Sequence, residues 1–346
     1  MTKISIMISL LCVCRVLTAE TIAPDDSRIA YDGVYFPSMS NGYMTMPRFD
    51  AATLASKDKT FNNDRALTTT GIVIRFNADA SAVTAKFLFP TAGRGVSRFS
   101  VYRDTVFVTN LVGGTAGSPF SLSIPTAAGA AQYEIVMPNW ANPVFGGLDI
   151  SGELLPKKML HRKCYIAIGD SITHGTGQTM TAETYAFQIA RRFGWELFNL
   201  AVGGGQISPA VAAMISNKQV DVVTILIGYN DMNGINSVES YEKSYHRILS
   251  ALRNDHPKAQ IFCITPTFST TTASGNKTKT NVTLEMYREA VRRVVADETA
   301  KGGTGMYCIE GPAFTDADGL NDAVHLNVAG AAHFAAKLGD AMEKIQ

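Results

Sequence analysis

The chain has 346 residues, 46% hydrophobic and 18% charged, with 31 Lys and Arg against 30 Asp and Glu for a net charge of +1. That length favours two domains, and that balance describes a globular chain rather than a disordered one. No cluster of Lys and Arg stands out, which argues against nucleic acid as the main partner, because neutralising phosphates needs concentrated positive charge.

In chain order, Lys3 precedes a short apolar run, Ile4 to Cys14, and then small residues up to Ala19. The run is too short to span a bilayer and reads as a secretory signal peptide over 1–19, cleaved before Glu20. The expectation is an exported protein, secreted or periplasmic, with no membrane attachment once the signal is removed. Cys12 and Cys14 would leave with it. Cys164, Cys263 and Cys308 each sit in an apolar stretch and are expected as buried free thiols, with a Cys263–Cys308 bridge left open by spacing alone. Residues 21–155 read as an all-β sandwich domain, jelly-roll-like. "GIVIRF" (71–76) and "AVTAKFLF" (82–89) alternate with period two, "FSVYRDTVFV" (99–108) reads as two strands about Arg103 and Asp104, and "YEIVMP" (133–138) as another.

Residues 152–163, basic and holding one proline, look like a connector. From 160 to 346 apolar runs alternate with amphipathic stretches. Strands are expected at 164–169, 196–201, 221–228, 260–266 and 305–311. Helices are expected at 182–193, 238–255, 284–300 and 327–345. In the third helix Leu284, Tyr287, Val291, Val294 and Val295 share one face. Strands apolar throughout are buried on both faces, so this half is predicted as a three-layer α/β/α sandwich on a parallel five-stranded sheet. The polar stretch 267–283 reads either as a substrate-side flap or as a solvated excursion.

Ligands of open α/β sheets sit beyond the carboxyl ends of the strands. There the sequence places Gly169, Asp170 and Ser171 after the first strand, Asn199 and Gly203 to Gly205 after the second, Gly228 to Asp231 after the third, and Asp322 to His325 past the fifth. This is an inventory for acyl transfer. A serine hydroxyl needs a base to take its proton, and histidine suits that task with an unperturbed pKa of about 6.5. Of the six histidines only His325 has an acid three residues before it, Asp322, where both side chains can point the same way. Backbone N–H groups at a strand-to-helix turn and an asparagine amide suit a developing oxyanion.

"GDSI", "NLAVGG", "GYND" and "DAVH", in this order, resemble the motif blocks of the GDSL esterases, also called SGNH hydrolases, over roughly residues 162–346. The resemblance implies a flavodoxin-like fold with Ser171 as nucleophile and oxyanion donor. It implies Gly204, with Gly203 close behind, and Asn230 as the other donors, and Asp322 with His325 as the acid–base pair. It implies no metal and no cofactor. Leu326 departs from the proline that follows the histidine in many members. A β-sandwich ahead of such a domain, with "GYMTMPR" and "SVYRD", resembles a subgroup of secreted bacterial carbohydrate esterases. This implies an acylated carbohydrate substrate, such as acetylated xylan, losing small acyl groups. The same residues would equally serve a lipid-directed acylhydrolase or an acyltransferase, and a non-catalytic glycan-binding protein is the alternative of another class.

Among the other candidates, Asp170 and Asp231 are expected to bond backbone nearby. His174 is expected either to line the pocket or to sit on an exposed loop, His246 to pair with Glu242, and His333 to pack within its helix. Trp140 reads as a partly buried sandwich aromatic or a sugar-stacking platform. The three glycines lack the partners of a nucleotide loop.

Overall fold

The computed structural model describes residues 19–61, 63–90 and 96–345; the proposed signal segment lies outside the described residues except for Ala19. In chain order the elements are β1 (Ala19–Ile22), β2 (Ala30–Asp32), β3 (Ser38–Ser40), β4 (Tyr43–Thr45), α1 (Ala51–Leu54), β5 (Val73–Leu88), β6 (Arg98–Arg103), β7 (Val106–Val112), β8 (Pro119–Ile124), β9 (Ala131–Val136) and β10 (Val144–Leu155). There follow β11 (Cys164–Gly169), α2 (Ser171–His174), α3 (Tyr185–Phe193), β12 (Glu196–Asn199), α4 (Ala210–Met214), β13 (Val222–Leu226), α5 (Tyr229–Asn233), α6 (Val238–Asp255), β14 (Gln260–Ile264), α7 (Leu284–Ala300), β15 (Met306–Ile309) and α8 (Val328–Ile345).

The first ten strands are antiparallel and fit a β-sandwich. The two stretches expected as separate strands are halves of one, β5. No Gly or Pro interrupts them, and Ala78 and Ala80 carry the buried phase onward. That phase slips by one at Ser81, opposite Gly152 of β10, where the register jumps from Ala82↔Ser151 to Ala80↔Gly152. The first half of β5 pairs with β2 and β9 and the second with β8, while β10 runs alongside both halves from Asn77 to Leu88. The strand β10 carries no clear strand signal in the sequence because its glycines look like breakers, and its last residues, 152–155, are strand rather than connector.

The second sheet is parallel, in the order β12-β11-β13-β14-β15. All six residues of β11 and all five of β13 are buried, as expected of strands covered on both faces. On one side the core holds Tyr241, Tyr245, Leu249, Tyr287, Val291 and Val294 from α6 and α7. On the other it holds Tyr185, Phe187, Phe334 and Leu338 from α3 and α8. The helices begin where capping chemistry allows. Thr184 accepts the Phe187 N–H at the start of α3 and Ser237 the Ser240 N–H at the start of α6, each cap contributing ~0.5–2 kcal/mol. Phe49, Phe61 and Ala66, from the first half of the chain, pack inside the α/β core.

The three cysteines are free, Cys164 and Cys263 buried and Cys308 exposed, so Cys308 departs from the buried expectation. His333 is exposed on α8 rather than packed. His246 pairs not with Glu242 but with Glu298 of α7, at 2.8 Å, while Glu242 takes Arg293. Helical spacing alone had hidden a neighbouring helix that supplies the closer partner.

Candidate active site

The order of the parallel sheet reverses between β11 and β13, and the chemistry gathers beyond the ends of these two strands. Gly169 closes β11, and Asp170 caps the short helix α2 by accepting the Ile172 N–H at 3.0 Å. This is the local bonding expected of Asp170. Burial pushes its carboxyl up to about 7, with the nearby Asp231 adding to the effect. The cap leaves Ser171 at the first helical position.

The Ser171 hydroxyl lies 2.8 Å from His325 Nε2, and His325 Nδ1 lies 2.8 Å from Asp322 Oδ2. Since Nδ1 faces a carboxylate it carries the proton, which leaves the Nε2 lone pair to accept the serine proton. The other Asp322 oxygen accepts the backbone N–H groups of Val324 and His325. Burial works against the Asp322 charge, but the bonds from His325 and Val324 outweigh it and hold the carboxyl below its ordinary value. The stretch 267–283 is neither flap nor free excursion. Ser269 Oγ and the Thr270 N–H both donate to the Ala323 carbonyl, bracing the turn that carries this pair. Arg288 of α7 in turn holds the carbonyls of Pro266 and Thr267. Leu326 is buried in the core beside α8, and its carbonyl accepts from Gln178.

Asn230 stands in the first turn of α5, which Gly228 opens at a φ of 141°. A side chain is strained in that conformation, and a Cβ there would meet Pro266 at 3.0 Å and the Tyr241 hydroxyl at 3.2 Å. One hydrogen of the Asn230 amide donates to the Gly205 carbonyl at 3.0 Å, which orients the group and leaves its second hydrogen for a ligand. Asp231 orders its loop, accepting the Ile207 N–H and the Asn236 amide, and burial raises its carboxyl to about 6.

The glycine loop turns at Val202 to Gly205, with Gly204 at a φ of 78°. His174 decides which glycine is available. Its ring is fully buried rather than exposed, and Nδ1 accepts the Gly203 N–H at 3.0 Å. Nε2 therefore bears the proton, directed at the Asn139 carbonyl at 2.8 Å with Thr68 Oγ1 at 2.9 Å. Burial holds this imidazole well below its ordinary pKa, and the nearby Arg48 pushes the same way, so the ring is neutral. The Gly203 N–H is thus committed, whereas that of Gly204 makes no hydrogen bond among the described residues.

The first half of the chain builds the rest of the site. Trp140 stacks on His174 at 4.1 Å between ring centroids and donates its indole N–H to the Gly175 carbonyl. One face of the ring is therefore taken by the histidine, and the ring also borders the cavity. Asn139 donates to the carbonyls of Gly175 and Gln178. Arg48, buried without a carboxylate partner among the described residues, donates to the carbonyls of Asn199, Ala201, Thr68 and Arg65. Arg65 donates to the Gly203 carbonyl at 2.8 Å. No sequence signal marks Arg48, Arg65 or Asn139, because their partners are backbone carbonyls more than a hundred residues away or in irregular loops.

These groups surround a cavity of about 520 Å³ whose lining includes Ser171, His325, Gly204 and Asn230. The arrangement can activate a hydroxyl nucleophile and surround a nearby carbonyl oxygen with donors. Among the described residues no group of His, Cys, Asp and Glu could hold a metal ion, and no helix is long and apolar enough to cross a membrane.

No curated protein matches the chain. Among solved structures, the salicylyl-acyltransferase SsfX3 from a tetracycline biosynthetic pathway superposes with a TM-score of 0.83 at 18% identity, over 94% of this chain and 97% of that one. A family two carbohydrate esterase from Clostridium thermocellum, in complex with cellohexaose, gives 0.65 at 19% identity over 91% and 98%. An acetyl xylan esterase from the rumen bacterium Butyrivibrio proteoclasticus gives 0.67 at 13% identity over 95% and 98%. At these identities the likeness is one of fold, and it extends over both halves of the chain. Residues 167–333 match the model of the GDSL-like lipase/acylhydrolase family, a stretch that spans all four motif blocks.

Proposed function

We propose that this protein is an exported serine esterase that removes acetyl or other small acyl groups from carbohydrate. The observation that carries the reading is the continuous hydrogen-bonded chain Ser171–His325–Asp322 at the wall of an open cavity. Ser171 Oγ attacks the ester carbonyl as His325 Nε2 takes its proton, and Asp322 holds the imidazolium that forms. The oxyanion is held by the N–H groups of Ser171 and Gly204 and the free amide hydrogen of Asn230. His325 then returns the proton to the departing sugar hydroxyl and activates a water that releases the acyl group from Ser171.

The carbohydrate assignment is supported by two features. The cavity walls include Trp140 and Asn139 from the β-sandwich half, which gives a sugar both an aromatic edge and polar neighbours. The chain also shares its two-part fold with carbohydrate esterases. Export is supported by the apolar run at 4–14. The test is acetate release from acetylated xylan and from simpler acetylated sugars, with a long-chain lysolipid as the competing substrate. Ser171→Ala should abolish turnover while leaving the unfolding transition in place. Retained turnover in that variant, or a preference for the lipid, would overturn the proposal.

A further inference from the structure

The cavity is positively charged in a way the esterase reading does not require. Its charged lining residues, apart from the reactive His325, are Arg65 and Arg98, and no Asp or Glu of the described residues borders it. Neither arginine pairs with a carboxylate among the described residues. Arg65 binds the Gly203 carbonyl through one terminal nitrogen, and the rest of the guanidinium makes no hydrogen bond among the described residues. The Arg98 side chain, half-buried at the start of β6, makes no hydrogen bond, ion pair or ring contact among the described residues. By contrast, the arginines that line a separate pocket, Arg162, Arg191 and Arg192, are paired with Asp32 and Glu196, with Glu134, and with Asp340 and Glu343 respectively. Two unpaired guanidiniums facing one cavity form a receptor for a planar oxyanion, because the guanidinium fork matches a carboxylate in geometry and charge.

We infer that this pocket selects esters of carboxylate-bearing sugars, an acetylated uronic acid unit being the class of substrate it fits. The inference rests on the esterase reading and narrows it. The carboxylate is placed on the sugar rather than on the acyl group for reasons of volume. Pockets of ~300–1,000 Å³ accept whole drug-sized ligands, so most of this cavity receives the alcohol part of the ester and little of it a two-carbon acyl group. Arg65 lies against the glycine loop, its terminal nitrogen 2.5 Å from where a Cβ of residue 204 would stand, while Arg98 enters from the β-sandwich. A sugar whose ester carbonyl sits at Gly204 therefore meets two positive charges, both supplied by the first half of the chain.

The experiment compares kcat/KM for O-acetylated methyl galacturonoside and O-acetylated methyl galactoside, which differ only in the carboxylate. A ratio of at least about tenfold for the acid is expected, shrinking as NaCl rises from about 10 to about 500 mM. Arg98→Gln should lower this ratio and Arg98→Glu should invert it; a ratio within one preparation is insensitive to the fraction of protein correctly folded. A third arm, a monosuccinyl ester of the neutral galactoside, carries the charge on the acyl side. In parallel, galacturonic acid oligomers are titrated into the Ser171→Ala protein, with neutral galactose oligomers as control. Equal kcat/KM for acid and neutral sugars, a ratio unmoved by Arg98→Glu, or a preference confined to the succinyl ester would each overturn the inference while leaving an esterase. Failure of the esterase reading shows differently, as no ester turnover; the titration then decides the inference by itself, upheld by salt-dependent binding of the acidic oligomer and overturned by equal binding of both.

Discussion

The buried His174 offers the sharpest test of how the oxyanion site is held. His174→Phe keeps the flat ring that stacks on Trp140 but removes the acceptor of the Gly203 N–H and the donor to Asn139. An N–H left without a partner in so buried a place costs ~1–3 kcal/mol. The loop can escape that cost by rotating the 202–203 peptide toward another partner, and the compensating change in backbone angles at Gly203 moves the neighbouring Gly204 N–H away from the carbonyl it is proposed to bind. Loss of one oxyanion donor costs ~2.7–4 kcal/mol of barrier, or about 10²–10³ in kcat. The expectation is a fall in kcat of about 100-fold with KM changed by less than about threefold, because the donor acts mainly on the transition state. His174→Asn places an amide oxygen near the former Nδ1 and should recover most of the loss. The assay is steady-state hydrolysis of an activated acetyl ester, with circular dichroism confirming the fold. Equal damage from Phe and Asn would refute the acceptor role, and a folded Phe variant with unchanged kcat would refute the positioning role altogether.

Three further outcomes follow from the same geometry. Arg48→Met should lower stability by several kcal/mol in denaturant unfolding, since it strands up to three buried carbonyls, of Thr68, Asn199 and Ala201, at ~1–3 kcal/mol each, while that of Arg65 keeps the Thr68 hydroxyl; a loss below about 1 kcal/mol would contradict the bonding described. Burial raises the Asp170 carboxyl to about 7, above its value in an unfolded chain, so its contribution is fully present below about pH 4 and lost as pH rises through 7. Asp170→Asn, which can still accept the Ile172 N–H, should therefore flatten the decline in stability between about pH 4 and 7, and parallel wild-type and variant curves would refute it. His174 has the opposite sign. Its folded pKa is depressed, so wild-type stability should fall as pH drops below about 6.5, a component that His174→Asn should lack.

The α/β half was legible because its signals are local. Buried parallel strands must be apolar throughout, and the expected 164–169, 238–255 and 284–300 coincide with β11, α6 and α7. The candidate triad was legible for a related reason, since each member sits at a strand end or in a tight turn whose sequence carries its own geometry. The β-sandwich was read in class but not in detail. Its strands β5 and β10 are long and shift register where they pair, and the small or glycine residues at those shifts look like interruptions in a one-dimensional pattern. The support of the site was the least legible part. His174 follows Ser171 by three residues and was visible, yet whether it is exposed or buried depends on Trp140 and Asn139, which fold over it from 34 and 35 positions away. The role of the 267–283 stretch depends on one carbonyl, at Ala323, that no pattern in the stretch itself announces.

The two halves of the protein are joined where function would be most sensitive. Arg48 and Arg65 grip the backbone after β12 at Asn199, Ala201 and Gly203, while Asn139 and Trp140 hold the backbone after α2 at Gly175. His174 connects these two grips through its two ring nitrogens. Ser171 and Gly204, the proposed donors of two backbone N–H groups, thus lie on segments whose position is set largely by residues from the first 140. A sandwich that acted only as a separate binding module would have no reason to bury an unpaired arginine among the carbonyls of the catalytic half, where desolvating the charge is costly and nothing but backbone offsets it. That arrangement makes sense if the catalytic loop cannot hold its shape alone, and if the wall that receives the sugar and the brace that holds the oxyanion site are the same piece of chain.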